Sequence, residues 1–475
     1  MSRQHISVFD IFKIGIGPSS SHTLGPWLAI LDFFDNHKAN TKEIYHSLSI
    51  ELFGSLALTG KGHYTDTAVC LALLGEKPET IDCSKIETLI TKLEEQKVLS
   101  IFGQTTIPFD PSKDIIFNYS EQLEYHPNAL KIKLASNNQS LTQTYYSTGG
   151  GFIVKESDLP REKANNILSQ PPFPSKTAKD ILMNAKRSNK KMSEMIWANE
   201  NFWHGSKVES QLAFIWQTMA DSIITGFKTT GVLPGPLKVK RRATEIFRQM
   251  LPGKTGYCID ELIDQIKQNI WTFSQTSRWV SAFALAVNEV NASLNRIVTA
   301  PTNGAAGVIP SVLLYALCFT SCKKPQEKVI QDFLLVAGEI GTLFVKEATI
   351  SAAEGGCQAE IGVSSAMAAA GLTDALGGTT YQVLMAAEIA MEHHLGMTCD
   401  PIHGLVQVPC IERNAMGAIK AITATELALS RQEEDACVSL DEVIQCMWRT
   451  SQDMDKKYKE TALGGLAITV NVKGC

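Results

Sequence analysis

The stretch SDLPREKANNILSQPPFPSKTAKD, residues 157–180, divides the sequence into two parts of different character. Its four prolines are Pro160, Pro171, Pro172 and Pro174. Neither the interior of a helix nor a central strand tolerates prolines at this density. We therefore predict a linker over 157–178, an N-terminal domain over 1–156 and a second domain over 179–475.

The part before the linker mixes strand and helix signals. Residues 46–53, HSLSIELF, alternate polar and apolar side chains as a half-buried strand does. Two more strand-like runs flank the turn-prone SNNQS, which predicts a hairpin across 129–147. Helical runs such as DTAVCLALLG lie between them. We therefore expect an α+β N-terminal domain.

The part after the linker is dominated by helical periodicity. Residues 277–297, SRWVSAFALAVNEVNASLNRI, and residues 363–376, VSSAMAAAGLTDAL, are apolar nearly all round. Helices of this kind belong in the middle of a helical domain, and their small residues allow close approach. We therefore predict an all-helical second domain.

Composition and charge exclude several classes of protein. A net charge of −5 without a long Lys/Arg cluster argues against a nucleic-acid partner. Asp10 and Lys13 interrupt the first apolar run, so we predict no signal peptide. The longest apolar stretch, 304–320, contains Pro310 and is too short for a membrane span, so we predict a buried helix there. Eleven cysteines without an export signal indicate a reducing compartment, and we expect a cytoplasmic protein with no membrane partner.

Three cysteines stand beside glycine or proline, at places where a ligand can be aimed. They are Cys357 in EGGCQAEIG, Cys399 in MTCDPIHG and Cys410 in VPCIERNAMG. Three thiolates suit an iron–sulfur cluster better than zinc. Three unrelated buried cysteines are the alternative, and the spacing does not decide between the two. We expect five other cysteines to be small core residues: Cys70, Cys83, Cys258, Cys437 and Cys446.

Three loops of the N-terminal part carry polar groups that could bind an anion. Residues 13–26, KIGIGPSSSHTLGP, place three serine hydroxyls before His22. Residues 58–68, LTGKGHYTDTA, place His63 just before a helix that Thr65 or Asp66 could cap. Residues 145–152, YYSTGGGF, end in glycines whose backbone N–H groups are accessible to an anion. The alternatives are ordinary turns, a surface histidine and a flexible connector.

Together these stretches resemble the iron–sulfur-dependent L-serine dehydratases of bacteria, in their single-chain form. The matching motifs, in that family's order, are GIGPSSSHT, ELFGSLALTGKGH, STGGGF, APTNGAAG, EGGCQAEIG and CDPI-GLVQVPCIERNA. The resemblance extends from Lys13 to the C-terminus. Tyr64 is a departure, because a smaller residue is more usual there, and it could narrow the access to His63.

The resemblance implies a fold and a reaction. The fold is an α+β N-terminal domain followed by an all-helical catalytic domain, and we expect a homodimer. The reaction converts L-serine to pyruvate and ammonia with a [4Fe–4S] cluster and without pyridoxal phosphate. By analogy, the cluster ligands are Cys357, Cys399 and Cys410, and the iron without a thiolate acts as a Lewis acid.

The resemblance also implies roles for the N-terminal residues. A base must remove the α-proton of serine, and His63 is the first candidate and His22 the second. The remaining residues would hold the substrate: Ser20, Ser21, Thr65, Ser147, Thr148, Gly149, Gly150 and Asn303.

The chain ends in NVKGC, and the residues before this ending are too apolar for a solvated tail. Cys475 carries both a thiol and a free carboxylate. We hypothesise that it is a fourth cluster ligand that plugs the active site until L-serine displaces it. The alternative is a terminus that happens to end in cysteine.

Three other functions compete with this interpretation. STGGG could cradle the phosphate of pyridoxal phosphate, but no lysine has a distinctive setting for a Schiff base. PGKTG is not a P-loop, because Arg248 stands where the motif requires glycine. A non-enzymatic serine or redox sensor is the third possibility.

Overall fold

The computed structural model describes residues 6–37, 44–102, 105–159, 170–253 and 258–470. Residues 160–169 of the predicted linker, 157–178, lie outside these ranges, and the domain boundaries stay a prediction. The strands are β1 (Ile14–Ile16), β2 (Tyr45–Gly54), β3 (Val98–Ile101), β4 (Thr105–Pro108), β5 (Ile115–Asn118), β6 (Asn128–Ser136), β7 (Ser140–Ser147), β8 (Ile153–Lys155) and β9 (Arg296–Val298).

Helices dominate the second part of the chain and are few and short in the first. The N-terminal α-helices are α1 (Val8–Ile11), α2 (Gly25–His37), α3 (Ser55–Leu58), α4 (Thr65–Leu73), α5 (Ile86–Gln96) and α6 (Pro111–Asp114). Those that follow are α7 (Ala178–Ser188), α8 (Met192–His204), α9 (Lys207–Lys228), α10 (Ala243–Met250), α11 (Ile259–Lys267), α12 (Phe273–Asn291), α13 (Val308–Phe319), α14 (Gln326–Glu347), α15 (Ala352–Gly355), α16 (Ile361–Ala375), α17 (Thr380–Glu392), α18 (Cys410–Leu429), α19 (Leu440–Asp453) and α20 (Leu466–Thr469).

The N-terminal part is built on one mixed sheet in the order β5-β2-β6-β7-β8. β2 pairs with β5 in parallel and with β6 antiparallel. The predicted strand at 46–53 lies within β2, and the hairpin predicted at 129–147 is formed by β6 and β7, so both predictions are confirmed. The α+β expectation for this part is therefore confirmed as well.

The second part is almost entirely helical, as predicted. Every residue of α16 is buried, and this helix packs against α14, α17 and α18. Its alanines, glycines and serines bring these neighbours close, because a small side chain keeps helix axes near each other. The buried helix predicted at 304–320 is α13. Among the described helices, none combines the length and the apolar character needed to cross a bilayer.

The N-terminal residues are joined to the helical part by direct pairing. β1 forms an antiparallel pair with β9, and α1 packs on α14. A Cβ on Gly338 of α14 would lie 2.4 Å from a methyl group of Val8, so glycine makes room for α1 at this crossing. The segment of α1 and β1 therefore packs on the helical part before the chain enters the N-terminal sheet.

Three of the five cysteines expected in the core lie on the surface instead. Cys70 is buried and Cys83 is half-buried, whereas Cys258, Cys437 and Cys446 are exposed. The expectation is wrong for these three. Cys446 shows the reason: α19 is amphipathic, and its buried positions are Leu440, Val443, Ile444, Met447 and Ser451, a face that excludes position 446.

Gly226 offers a test of how tightly the helices are packed. A Cβ at this position of α9 would lie 2.4 Å from the backbone oxygen of Ala286 in α12. We expect Gly226→Ala to push the helices apart and destabilise the protein by about 1–3 kcal/mol, seen as a lower thermal unfolding midpoint. The exposed Thr225→Ala in the same helix should change stability by less than about 0.5 kcal/mol. Equal midpoints for the two variants would contradict this packing.

Candidate active site

Three buried thiols from separate segments meet in the helical part. Cys357 lies in a 3-10 turn after α15, Cys399 in a loop and Cys410 at the first residue of α18. Arg413 connects the segments: it donates hydrogen bonds to Cys357 Sγ at 3.3 Å and to the backbone oxygen of Thr398 at 2.6 Å. The sulfur atoms of Cys357 and Cys399 and a carboxylate oxygen of Glu360 lie within 4.8 Å of one another.

Charge and burial act differently on the three thiols. A hydrogen bond from Cys399 and the nearby charge of Arg413 lower the pKa of Cys357. The same hydrogen bond, together with burial, raises the pKa of Cys399. Burial and the charge of Cys357 raise the pKa of Cys410, which shows that this third thiol lies in the same electrostatic environment. The set therefore offers soft ligands around a guanidinium group that offsets negative charge.

His22 lies in a buried π-helical turn, Ser20–Leu24, that Ser19 caps by accepting a hydrogen bond from the His22 backbone N–H. The Ser55 hydroxyl donates its proton to the backbone oxygen of Glu460. It can therefore only accept from His22 Nε2, 3.0 Å away, which places the ring proton on Nε2. His22 Nδ1 then accepts from the Ser21 hydroxyl at 2.9 Å. Both ring nitrogens of His22 are occupied.

His63 stacks on His22, with ring centroids 4.4 Å apart, and is fully buried. Its Nδ1 lies 3.0 Å from the backbone oxygen of Thr59 and must donate to it. In the neutral ring, Nε2 then carries a lone pair, and Nε2 has no hydrogen-bond partner within the described ranges. Burial lowers the pKa of His63 to about 4, so this lone pair persists at neutral pH.

Glu460 lies between the histidines and the thiols. Its Oε1 is 3.7 Å from His22 Nδ1 and 3.8 Å from His63 Nε2, and its backbone N–H donates to the Cys399 carbonyl at 3.0 Å. Burial and the charges of Glu360 and Cys357 raise the pKa of its carboxyl group well above the usual range. The residue thus joins the groups of the N-terminal part to those of the helical part.

The predicted substrate-binding serines are buried beside His22. Ser147 donates a hydrogen bond from Oγ to the backbone oxygen of Ser21 at 2.7 Å. A Cβ on Gly25 would lie 2.0 Å from this hydroxyl, so only glycine fits at the start of α2. Ser20 is buried in the same turn, and its backbone oxygen accepts from Gly25 N–H. This group of residues is preorganised by its own hydrogen bonds.

The other residues predicted to bind the substrate or the cluster differ in their surroundings. Gly149 and Gly150 have positive φ and pass close to Ile350, while Thr148 faces a neighbouring cavity. Asn303 donates from its side-chain amide to the backbone oxygen of Ile16, and its Oδ1 has no partner in the part of the chain that the structure describes. Cys475 lies outside the described residues, so its predicted role as a ligand stays a prediction.

The start of α4 differs from the expected arrangement. Neither Thr65 nor Asp66 caps this helix; Tyr64 occupies the N-cap position and makes no side-chain cap. The backbone of Tyr64 is left-handed, with φ of 55°, a conformation that is uncommon for a residue with a bulky side chain. Thr65 is buried, and its hydroxyl has no hydrogen-bond partner among the described residues.

Sequence reasoning missed Glu460, Arg413 and Glu360 as members of this site. Arg413 follows Cys410 by three residues on a helix, and Glu360 follows Cys357 by three, so a helical-spacing argument could have found both. Glu460 had no such signal. It lies about fifty residues beyond Cys410 in sequence, and only the folded chain brings it to Cys399.

The buried His63 should make stability depend on pH. Its pKa falls from 6.5 to about 4 on folding, so the unfolded chain binds more protons between these values. The stabilisation is complete above pH 6.5 and is lost as the pH falls towards 4. When the pH falls from 7.5 to 5, the free energy of unfolding of wild type should decrease by about 2 kcal/mol more than that of His63→Gln. Urea unfolding curves of both proteins at the two pH values measure this difference. Parallel losses in both proteins would contradict this.

Comparison with known proteins gives the site its context. Residues 7–158 match the family model for the serine dehydratase beta chain, and residues 178–467 match that for the alpha chain. The chain is 45% identical to an L-serine dehydratase of Haemophilus influenzae over 98% of this chain and 99% of the relative. It is 44% identical to an L-serine dehydratase of Helicobacter pylori and 43% identical to L-serine dehydratase 1 of Escherichia coli, each with the same coverage. The chain therefore belongs to the serine dehydratase family and joins that family's beta-chain and alpha-chain regions in one polypeptide.

Proposed function

We propose that this protein is an L-serine dehydratase that converts L-serine to pyruvate and ammonia. One observation carries the proposal: Glu460 joins the loop of the buried Cys399 to the buried His63, whose Nε2 has no hydrogen-bond partner among the described residues. The names of the relatives agree with this activity. We also propose that the protein is a cytoplasmic homodimer.

The donor set fits a [4Fe–4S] cluster. Cys357, Cys399 and Cys410 supply three soft ligands, and Arg413 offsets part of their charge. When bound, such a cluster would supply one iron that none of these three thiolates holds, and this iron would have Lewis acidity towards the departing hydroxyl group. Cys475 is the proposed fourth ligand of the resting enzyme. No lysine is among the residues that we assign to the site, and pyridoxal phosphate chemistry would need one.

His63 is the proposed base. Its Nε2 lone pair is held in a fixed direction, because Nδ1–H is committed to the carbonyl of Thr59. His22 would have to break its hydrogen bond with Ser21 before it could accept a proton, so it is better suited to orienting the serine loop. The second candidate from the sequence therefore becomes a positioning residue in this proposal.

The substrate would lie between the histidines and the thiols. Thr65, Asn303 and the loop that carries Ser20 and Ser21 are proposed to hold its carboxylate and ammonium groups, with Ser147 supporting the loop. Thr148, Gly149 and Gly150 would form the side nearest the solvent. Two polar atoms without a partner among the described residues, Thr65 Oγ1 and Asn303 Oδ1, support this placement, because buried polar atoms normally have partners.

The reaction balances without another reactant. His63 Nε2 takes the α-proton as the C–O bond breaks, and the proton and hydroxide together make one water. The organic product is 2-aminoacrylate, which tautomerises to an imine and hydrolyses to pyruvate and ammonia. Burial of the site would keep bulk water away from the reacting carbon until the product leaves.

The first test is whether the thiols hold iron that is needed for turnover. Anaerobically purified protein should contain iron and sulfide and form pyruvate from L-serine; L-threonine would be assayed beside it. Replacing Cys357, Cys399 or Cys410 with serine should lower the iron content and abolish pyruvate formation, because each thiolate anchors one iron.

Cys446→Ser is the matched control, since Cys446 is exposed on α19. It should retain both iron and activity. A variant of any of the three buried thiols with full iron and full turnover would remove that residue from the ligand set. Yellow, air-stable protein that requires pyridoxal phosphate would overturn the proposed chemistry.

The second test separates the two histidines. His63→Ala should keep its iron and lower kcat by about 10²–10⁴-fold, because it removes the group that accepts the proton. His22→Ala should also keep its iron but lose less activity. Steady-state rates and iron analysis on the same preparations measure both effects. If His22→Ala lost more turnover than His63→Ala, the two roles would have to be exchanged.

A further inference from the structure

A cavity of about 310 Å³ lies between the N-terminal and helical parts, next to the candidate active site. This volume is at the lower end of small-molecule pockets. The polar lining comes from both parts of the chain and includes His126, Thr148, Lys346, Thr349 and Glu354. The apolar lining includes Phe152 and Trp448.

His126 presents an unpaired donor at the wall of this cavity. The residue is 3% exposed, and its Nδ1 accepts a hydrogen bond from the backbone N–H of Asn128 at 3.0 Å. The ring proton must therefore be on Nε2, and Nε2 has no hydrogen-bond partner in the described chain. Leaving a buried donor unpaired costs about 1–3 kcal/mol, so the site is poised for an acceptor from outside.

Glu354 presents an acidic group beside this donor. One of its oxygens accepts a hydrogen bond from Thr349 Oγ1 at 2.6 Å and lies 3.8 Å from His126 Nε2, beyond hydrogen-bond distance. The Glu354 side chain is 31% exposed, so the cavity reaches solvent. The ammonium group of Lys346 is engaged elsewhere, because it donates to Ser175 and Thr342. The Nε2–H of His126 and the carboxylate of Glu354 are thus neighbours that form no hydrogen bond with each other.

The cavity adjoins the buried centre along the backbone of Ser147 and Thr148. Thr148 lines the cavity, while Ser147 next to it donates to Ser21 in the turn that carries His22. His22 and His63 are fully buried, so a ligand from solvent has to pass through the surrounding protein to reach them.

We propose that this cavity is a second binding site for a small free α-amino acid and receives L-serine before it enters the buried centre. The α-ammonium group binds Glu354, and the α-carboxylate accepts from His126 Nε2–H and the Thr148 hydroxyl. The ammonium and carboxylate groups of an α-amino acid are attached to the same carbon. They are therefore close enough together to contact Glu354 and His126, which are neighbours in the cavity wall. The assignment of L-serine rests on the proposed function, whereas the binding site does not.

L-Alanine is a suitable probe, because it has both charged groups but no hydroxyl to eliminate. Added to the anaerobic holoenzyme, it should change the fluorescence of Trp448 in a saturable way, and Trp448→Phe should remove that change. Glu354→Gln should weaken this binding about tenfold or more, since it loses a charge-assisted contact. It should retain the iron content and kcat of wild type.

Two substitutions of His126 separate its donor from its structural role. Asn in place of His126 can still accept from Asn128 but has no donor at the position of Nε2, and it should weaken L-alanine binding. Gln can place an amide donor near that position and should bind more tightly than the Asn variant. Glu347→Gln is the control, because its side chain is 29% exposed, pairs with Lys176 and lies outside the lining.

The outcomes separate this proposal from the proposed function. Pyruvate formation without a Trp448-dependent L-alanine signal, or equal binding by wild type and Glu354→Gln, would overturn the second site. A Trp448 signal that weakens in Glu354→Gln, in a protein that forms no pyruvate, would support the site and refute the proposed reaction. L-Lactate lacks the ammonium group and should give no signal; binding as tight as that of L-alanine would also overturn the proposal.

Discussion

The arrangement of the three thiols depends on the guanidinium group of Arg413. From the first turn of α18, beside Cys410, it donates to Cys357 Sγ, to the Thr398 carbonyl and to the Asp400 carboxylate. These partners belong to the two other cysteine segments, so one side chain fixes the positions of all three. The guanidinium also brings positive charge to buried thiols that would have to be thiolates to bind a metal, and uncompensated buried charge is costly.

The segment that carries Glu460 holds the same cysteine loop from the opposite side. Cys399 N–H donates to the Tyr458 carbonyl, and Leu466 N–H donates to a carboxylate oxygen of Asp400. Between these two anchors, Glu460 has a left-handed backbone, with φ of 57°, which is uncommon for a residue with a long side chain. Such a conformation is stabilised only by its surroundings and is enriched at functional sites. The anchors that order the cysteine loop thus also place Glu460 beside the histidines.

Local sequence patterns predicted the secondary-structure elements well, but they did not predict how these elements pack together. The alternation in β2, the hairpin of β6 and β7 and the apolar α13 are properties of neighbouring residues, so the sequence was sufficient for them. The pairing of β1 with β9 joins residues about 280 apart, and no local periodicity encodes it. The exposed cysteines show the same limit, because the direction in which a helix position faces depends on its partners. At the site, the motifs indicated the cysteines and histidines, whereas Glu460 became evident only from contacts of the folded chain.

The two histidines show what the fold adds to residue identity. They stack in one buried space, yet the Ser21 and Ser55 hydroxyls occupy both nitrogens of His22, while the carbonyl of Thr59 occupies only one nitrogen of His63. His63 Nε2 has no hydrogen-bond partner among the described residues, and a buried acceptor left in this state costs stability because it has lost its water. Burial also keeps that nitrogen unprotonated at neutral pH. A protein selected only for stability would pair this atom, so its unpaired lone pair is the strongest structural reason to assign proton transfer to His63 and loop positioning to His22.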